Sequence, residues 1–164
     1  MNSPKEPLSP TQAMNRAATL CARSEQAPAD IRDKLIKWGL SVGDAQQVLG
    51  QLIDQGFIDQ QRYARAFVKD RFTFNGWGRV KIAHQLHLKG IPDHVARQAL
   101  TTIDDEQYRA RLLQLLRAKW RTVADREPRA AWAAMMRFAA SRGFESSLAG
   151  ECIKQASDID AQDD

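Results

Sequence analysis

The stretch IAHQLHLKGIPDHVARQAL, residues 82–100, decides the fold once it is laid over two others in the same chain. IRDKLIKWGLSVGDAQQVL occupies residues 31–49, and MMRFAASRGFESSLAGECI occupies residues 135–153. Each has a glycine at the same place: Gly39, Gly90 and Gly143. Eight residues before it stand Ile31, Ile82 and Met135; four before it stand Leu35, Leu86 and Ala139. One residue after it stand Leu40, Ile91 and Phe144, six after it Ala45, Ala96 and Ala149, and ten after it Leu49, Leu100 and Ile153. These spacings put one apolar helix face on each side of a turn, and glycine supplies the left-handed residue that ends the first helix. The glycines lie 51 and 53 residues apart, which predicts a helical unit of about fifty residues used three times.

Working outward, the helix starts are written as caps. Ser9-Pro10-Thr11-Gln12 has a serine cap, proline at the first helical position and glutamine three residues after the cap. Pro28 opens a second helix, Ser41 with Asp44 a third, and Asp59, Pro92 and Pro128 open later ones. Alternating strand patterns of useful length are absent. The expectation is an all-α fold of nine helices: a disordered N-terminus over 1–9, repeats over 10–58, 59–104 and 105–156, and an acidic disordered tail over 157–164. A three-helix unit this small buries little alone, so neighbours must cover its apolar edge. That predicts three tandem three-helix repeats in an elongated, curved array, a long surface suited to a macromolecular partner.

Composition narrows the function classes. Hydrophobic residues make up 43% and charged residues 27% of the 164, as in ordinary globular proteins. No apolar run approaches the roughly 20 residues that cross a bilayer, and Met1 to Pro10 has no signal-peptide core. Cys21 and Cys152 are too few and too far apart for a disulfide framework or a zinc motif, which suits a reducing cytoplasm. His84 and His87 share a helix face but lack further ligands, so they read as a surface pair with no metal. No nucleophile, base and orienter can be assembled, so the expectation is a protein that is not an enzyme and needs no cofactor. Net charge is +4 overall, but +8 over residues 1–156 because the tail holds Asp158, Asp160, Asp163 and Asp164. A basic body suits polyanions or acidic protein surfaces.

The central segment carries a recognisable signature. Gly56-Phe57-Ile58-Asp59, then Arg62-Tyr63-Ala64, Phe67-Val68 and Arg71, continue through Gly76-Trp77-Gly78-Arg79 and Ile82 to Leu86 and Lys89-Gly90-Ile91. This resembles the RecX regulatory family, most strongly over residues 56–100; Gln85 stands where many relatives carry glutamate. The resemblance implies a cytoplasmic, monomeric modulator of the RecA recombinase. It would bind the RecA filament on single-stranded DNA and, by lying in the filament groove or capping its growing end, limit extension, ATPase, strand exchange and coprotease activity. The alternative is a basic helical module that binds single- or double-stranded DNA backbone without sequence choice.

The helical wheel then selects candidate contacts. On the helix near residues 60–73, Tyr63, Phe67, Arg71 and Phe74 share one side with Ala64 and Val68 beside them, and Arg62, Arg65 and Lys69 lie opposite. Near residues 105–124, Tyr108, Leu112, Leu116 and Val123 face inward, and Gln114, Arg117 and Arg121 face outward. Residues 62–130 hold 15 basic against 7 acidic residues, which favours contact with carboxylates or phosphates over mere solvation. The candidate partner-contact surface is therefore Arg62, Arg65, Lys69, Lys81, Arg117 and Arg121, with Lys81 a surface residue beside Trp77. Trp77 itself reads as a seam-filling side chain between turn glycines, with base stacking as the alternative. Trp38, Trp120, Trp132, Met135, Met136 and Phe138 are expected in the core.

Overall fold

A computed structural model describes the backbone of residues 6–162 and the side chains as far as Asp158. Among these residues there are nine helices and no strand. They are α1 (Pro10–Arg23), α2 (Pro28–Lys37), α3 (Val42–Asp54), α4 (Gln60–Thr73), α5 (Arg79–Leu88), α6 (Asp93–Leu100), α7 (Asp105–Val123), α8 (Pro128–Ser141) and α9 (Ser146–Gln162). The chain is thus all-helical, in three tandem three-helix repeats.

The caps act as their chemistry requires. Ser9 and Gln12 form a reciprocal capping box, with Ser9 Oγ accepting from the Gln12 amide and Gln12 Oε1 accepting from the Ser9 amide. Ser41 and Asp104 cap α3 and α7 in the same sense. Gly39, Gly90 and Gly143 all take positive φ, at 104°, 81° and 87°, so the shared glycine column marks left-handed turn residues.

The molecule divides into two compact units that do not follow the repeat boundaries. One comprises residues up to Ala64 together with Leu86–Ala96; the other comprises Arg65–Gln85 together with the residues from Arg97 onward. Each helix of the middle repeat is therefore shared between the units, as expected when a three-helix repeat is too small to close its own core. In the first unit α1, α2 and α3 pack together around Ala13, Ala17, Ile31, Leu35, Ala45, Val48, Leu52 and Ile58. In the second, α7, α8 and α9 pack on one another, burying Leu112, Leu116, Met135, Ala139, Phe144 and Ile153.

Several placements correct the sequence reading. Leu8 lies within the stretch expected to be disordered, yet it packs against the first core and its amide donates to the Trp38 carbonyl at 2.9 Å. At the other end α9 runs on to Gln162, through most of the segment expected to be a disordered tail. Ala156, the last position of the third repeat, is buried, and the helix continues beyond it. Residues 1–5, 163 and 164 lie outside the described residues. Trp132 is 40% exposed, because it falls just beyond the edge of the buried stripe of Ala131, Ala134, Met135 and Ala139. Phe74 is 78% exposed because α4 stops at Thr73, so the helical wheel does not extend to it.

Candidate partner-contact surface

The six basic residues named from sequence do not share one environment. On α4, Ala64 and Val68 are fully buried, which turns Arg62, Arg65 and Lys69 outward as the wheel predicts. Arg62 is nevertheless taken up internally: its guanidinium pairs with Glu25 and lies 4.0 Å from Asp59, whose carboxylate also accepts from the Arg62 amide. Arg65 and Lys69, one turn further on, are exposed and pair with no acid among the described residues. They rim a shallow groove of about 390 Å³ whose other walls include Val68, Phe72, Ile103 and Gln107. The groove thus has an apolar floor edged by two cations that pair with no acid among the described residues.

On α7, burial of Tyr108, Leu112, Leu116 and Val123 fixes the inward face as expected. Arg117 and Arg121 are exposed one turn apart and likewise have no acidic partner among the described residues. The walls of the groove beside Arg65 and Lys69 include neither of them. Both pairs set like charges at i and i+4, an arrangement that destabilises a helix by about 0.2–0.5 kcal/mol.

Lys81 departs from its predicted role. It is half-buried, its Nζ lies 4.5 Å from the centre of the Trp77 ring, and its backbone and Cβ crowd Gly143. Arg71 lies 5.2 Å from the same ring and 4.9 Å from that of Phe67, which meets Trp77 edge-on at 6.4 Å. Trp77 is therefore a half-buried ring already occupied by two cations and an aromatic edge, which supports the seam-filling reading over base stacking. Gly78 is needed for another reason: a Cβ there would stand 2.6 Å from the Phe144 nitrogen, because its amide donates to the Arg142 carbonyl at 2.7 Å.

Sequence reasoning missed the Arg79–Tyr108–Glu145 system. The Tyr108 hydroxyl accepts from the Arg79 amide at 3.0 Å and donates to Glu145 at 2.7 Å. The Arg79 guanidinium lies 4.2 Å from the Tyr108 ring centre, donates to the Ile103 carbonyl and pairs with Asp105 at 2.8 Å. Burial is the main cause that pushes the Tyr108 phenol well above its ordinary value, and Glu145 adds to it. The only sequence signal was Arg79 directly after the glycine turn; its partners lie 26 and 29 residues away. Burial likewise raises the thiols of Cys21 and Cys152, which disfavours the reactive thiolate form. Among the described residues there is no metal-binding cluster, and no helix is long and apolar enough to cross a membrane.

Comparison with known proteins accounts for both the repeats and the signature. The family description for the second three-helix domain of RecX matches residues 59–100, and that for the third matches 105–153. A regulatory protein RecX from Chromohalobacter salexigens is 33% identical over 129 residues, covering 79% of this chain and 82% of the relative. Another from Amycolatopsis mediterranei is 26% identical over 156 residues, covering 93% and 89%. The crystal structure of RecX from Lactobacillus salivarius superposes with a TM-score of 0.78 over 90% of this chain and 96% of that one, at 19% identity, a likeness of fold. With its repeats, its central signature and these relatives in agreement, the chain belongs to the RecX family of regulatory proteins.

Proposed function

We propose that this chain regulates the RecA recombinase: it binds the RecA filament on single-stranded DNA in the cytoplasm and limits its extension, with loss of ATPase, strand exchange and coprotease activity. Family membership supplies the regulatory class. The observation that carries the reading to a surface is the presence of Arg65 and Lys69, and of Arg117 and Arg121, as exposed cations that pair with no acid among the described residues. Cations held in like-charge pairs on rigid helices suit an acidic protein surface, where arginine forms forked bonds to carboxylates. The activity needs binding alone. A filament grows by adding protomers, so one bound regulator can block many later additions or alter contacts between neighbours.

The test is RecA ATPase on single-stranded DNA, titrated with this protein. Inhibition well below one regulator per RecA protomer is expected, with weak binding to bare DNA. The alternative, a module that coats DNA backbone, requires near-stoichiometric amounts and a steep fall in DNA affinity with salt as counterions are released. Unchanged ATPase and filament length at excess regulator would overturn the RecA reading.

A further inference from the structure

The turn carbonyls reveal a socket used three times. In each repeat, the carbonyl just before the turn glycine accepts a hydrogen bond from a segment earlier in the chain. Lys89 accepts from the Ala29 amide at 2.9 Å, Arg142 from Gly78 at 2.7 Å, and Trp38 from Leu8 at 2.9 Å. The first two donors stand at the starts of α2 and α5, the second helices of the preceding repeats. The third belongs to no repeat.

The glycines describe the same socket from the other side. A Cβ on Gly90 would lie 3.0 Å from the Ala29 nitrogen, and one on Gly143 would lie 2.6 Å from the Lys81 nitrogen. On Gly39 it would lie 2.8 Å from the Pro7 Cα, so Pro7–Leu8 fills on repeat 1 the place that a second-helix start fills on repeats 2 and 3. Leu8 anchors this strap against the first core, and Glu6 shares the recess with Lys34 and Lys37. On repeat 1 the strap covers this socket.

The counterpart lies on α8. Among the three second helices, α8 alone has a start that meets no turn carbonyl among the described residues. Its cap, Glu127, makes no side-chain bond to the helix, and Pro128 stands at the first position as Pro28 does in α2. The Arg129 amide meets no protein acceptor among the described residues. We infer that the socket beside Gly39 is a self-association site, closed by Pro7–Leu8, and that its occupant on release is the α8 start of a second copy of this chain. The positive end of α8 would meet the negative end of α2, and Glu127 would bring to Lys34 and Lys37 the carboxylate that Glu6 brings in the strap.

Sedimentation of full-length variants tests this. The parent is expected to remain monomeric at micromolar concentration, and Leu8→Asp, which unseats the strap, to associate in a concentration-dependent way. Adding Arg129→Pro removes the docking amide at a helix position that tolerates proline, and is expected to weaken that association at least ~10-fold. Leu8→Ala, a milder loss of the anchor that spares the fold should Leu8→Asp unfold, is expected to associate with intermediate strength. A strap variant with parental helicity that stays monomeric would overturn the inference. So would association indifferent to Arg129→Pro, or a parent that associates as strongly as its variants.

Discussion

The Tyr108 hydroxyl is buried, accepts from the Arg79 amide and donates to Glu145, so all its hydrogen bonding is internal to the protein. Tyr108→Phe leaves that amide and that carboxylate short of a partner and is expected to cost about 1–3 kcal/mol by chemical denaturation. The raised phenol also sets a pH dependence. The folded state holds the neutral phenol above the unfolded value near 10, so this stability is complete below pH ~10 and is lost as pH rises further. In a Tyr63→Phe background, where Tyr108 is the remaining tyrosine, ultraviolet titration should show phenolate above that pH only as the chain unfolds. Leu86, fully buried, is expected to cost about 2–5 kcal/mol on truncation to alanine. Lys81 was legible as a cation beside Trp77, but its packing was not, because Gly143 reaches it from 62 residues away. Its truncation should therefore cost about 0.5–1 kcal/mol through the lost Trp77 contact, more than a free surface lysine would.

Helices were the most legible elements because their signals are local. Ser9 and Ser41 cap, the column of Gly39, Gly90 and Gly143 turns, and buried Tyr108, Leu112 and Leu116 follow the 3.6-residue period. What failed was non-local or fell at an element's edge. Arg62 reads as a free ridge cation until Glu25, 37 residues earlier, is brought beside it. Phe74 continues the wheel of α4 on paper only, since the helix has already ended. The same distinction governs glycine substitutions, which the expected outcomes separate by sign. Gly50 lies within α3 with nothing near its missing Cβ, so Gly50→Ala should stabilise by about 0.5–1 kcal/mol through reduced chain entropy. Gly78→Ala forces a Cβ into the Gly143–Phe144 backbone and should destabilise by about 1–3 kcal/mol or more. Thermal melts of the two variants check both directions.

For the whole molecule, the question is which charges the fold has already used. Arg62 pairs with Glu25, Arg79 with Asp105, Lys89 with Asp30 and Arg109 with Glu151, so these cations have internal partners. Arg65, Lys69, Arg117 and Arg121 have none among the described residues, and each like-charge pair is unfavourable to its own helix. Stability and partner binding should therefore respond to charge reversal in opposite directions. Arg65→Glu and Arg117→Glu each place an acid four residues before a base, the favourable orientation on a helix, so the denaturation midpoint should hold steady or rise slightly. Inhibition of RecA ATPase by the same variants should weaken, and the parent's inhibition should itself decline with added salt, because exposed charges are screened within ~10 Å at 0.1 M. Reversal at Arg62 should instead lower stability, since Glu25 and Asp59 would then face a third carboxylate. If Arg65→Glu and Arg117→Glu together inhibited as well as the parent, these cations would be solvated helix faces. The RecA contact would then belong to a surface that carries no excess of charge.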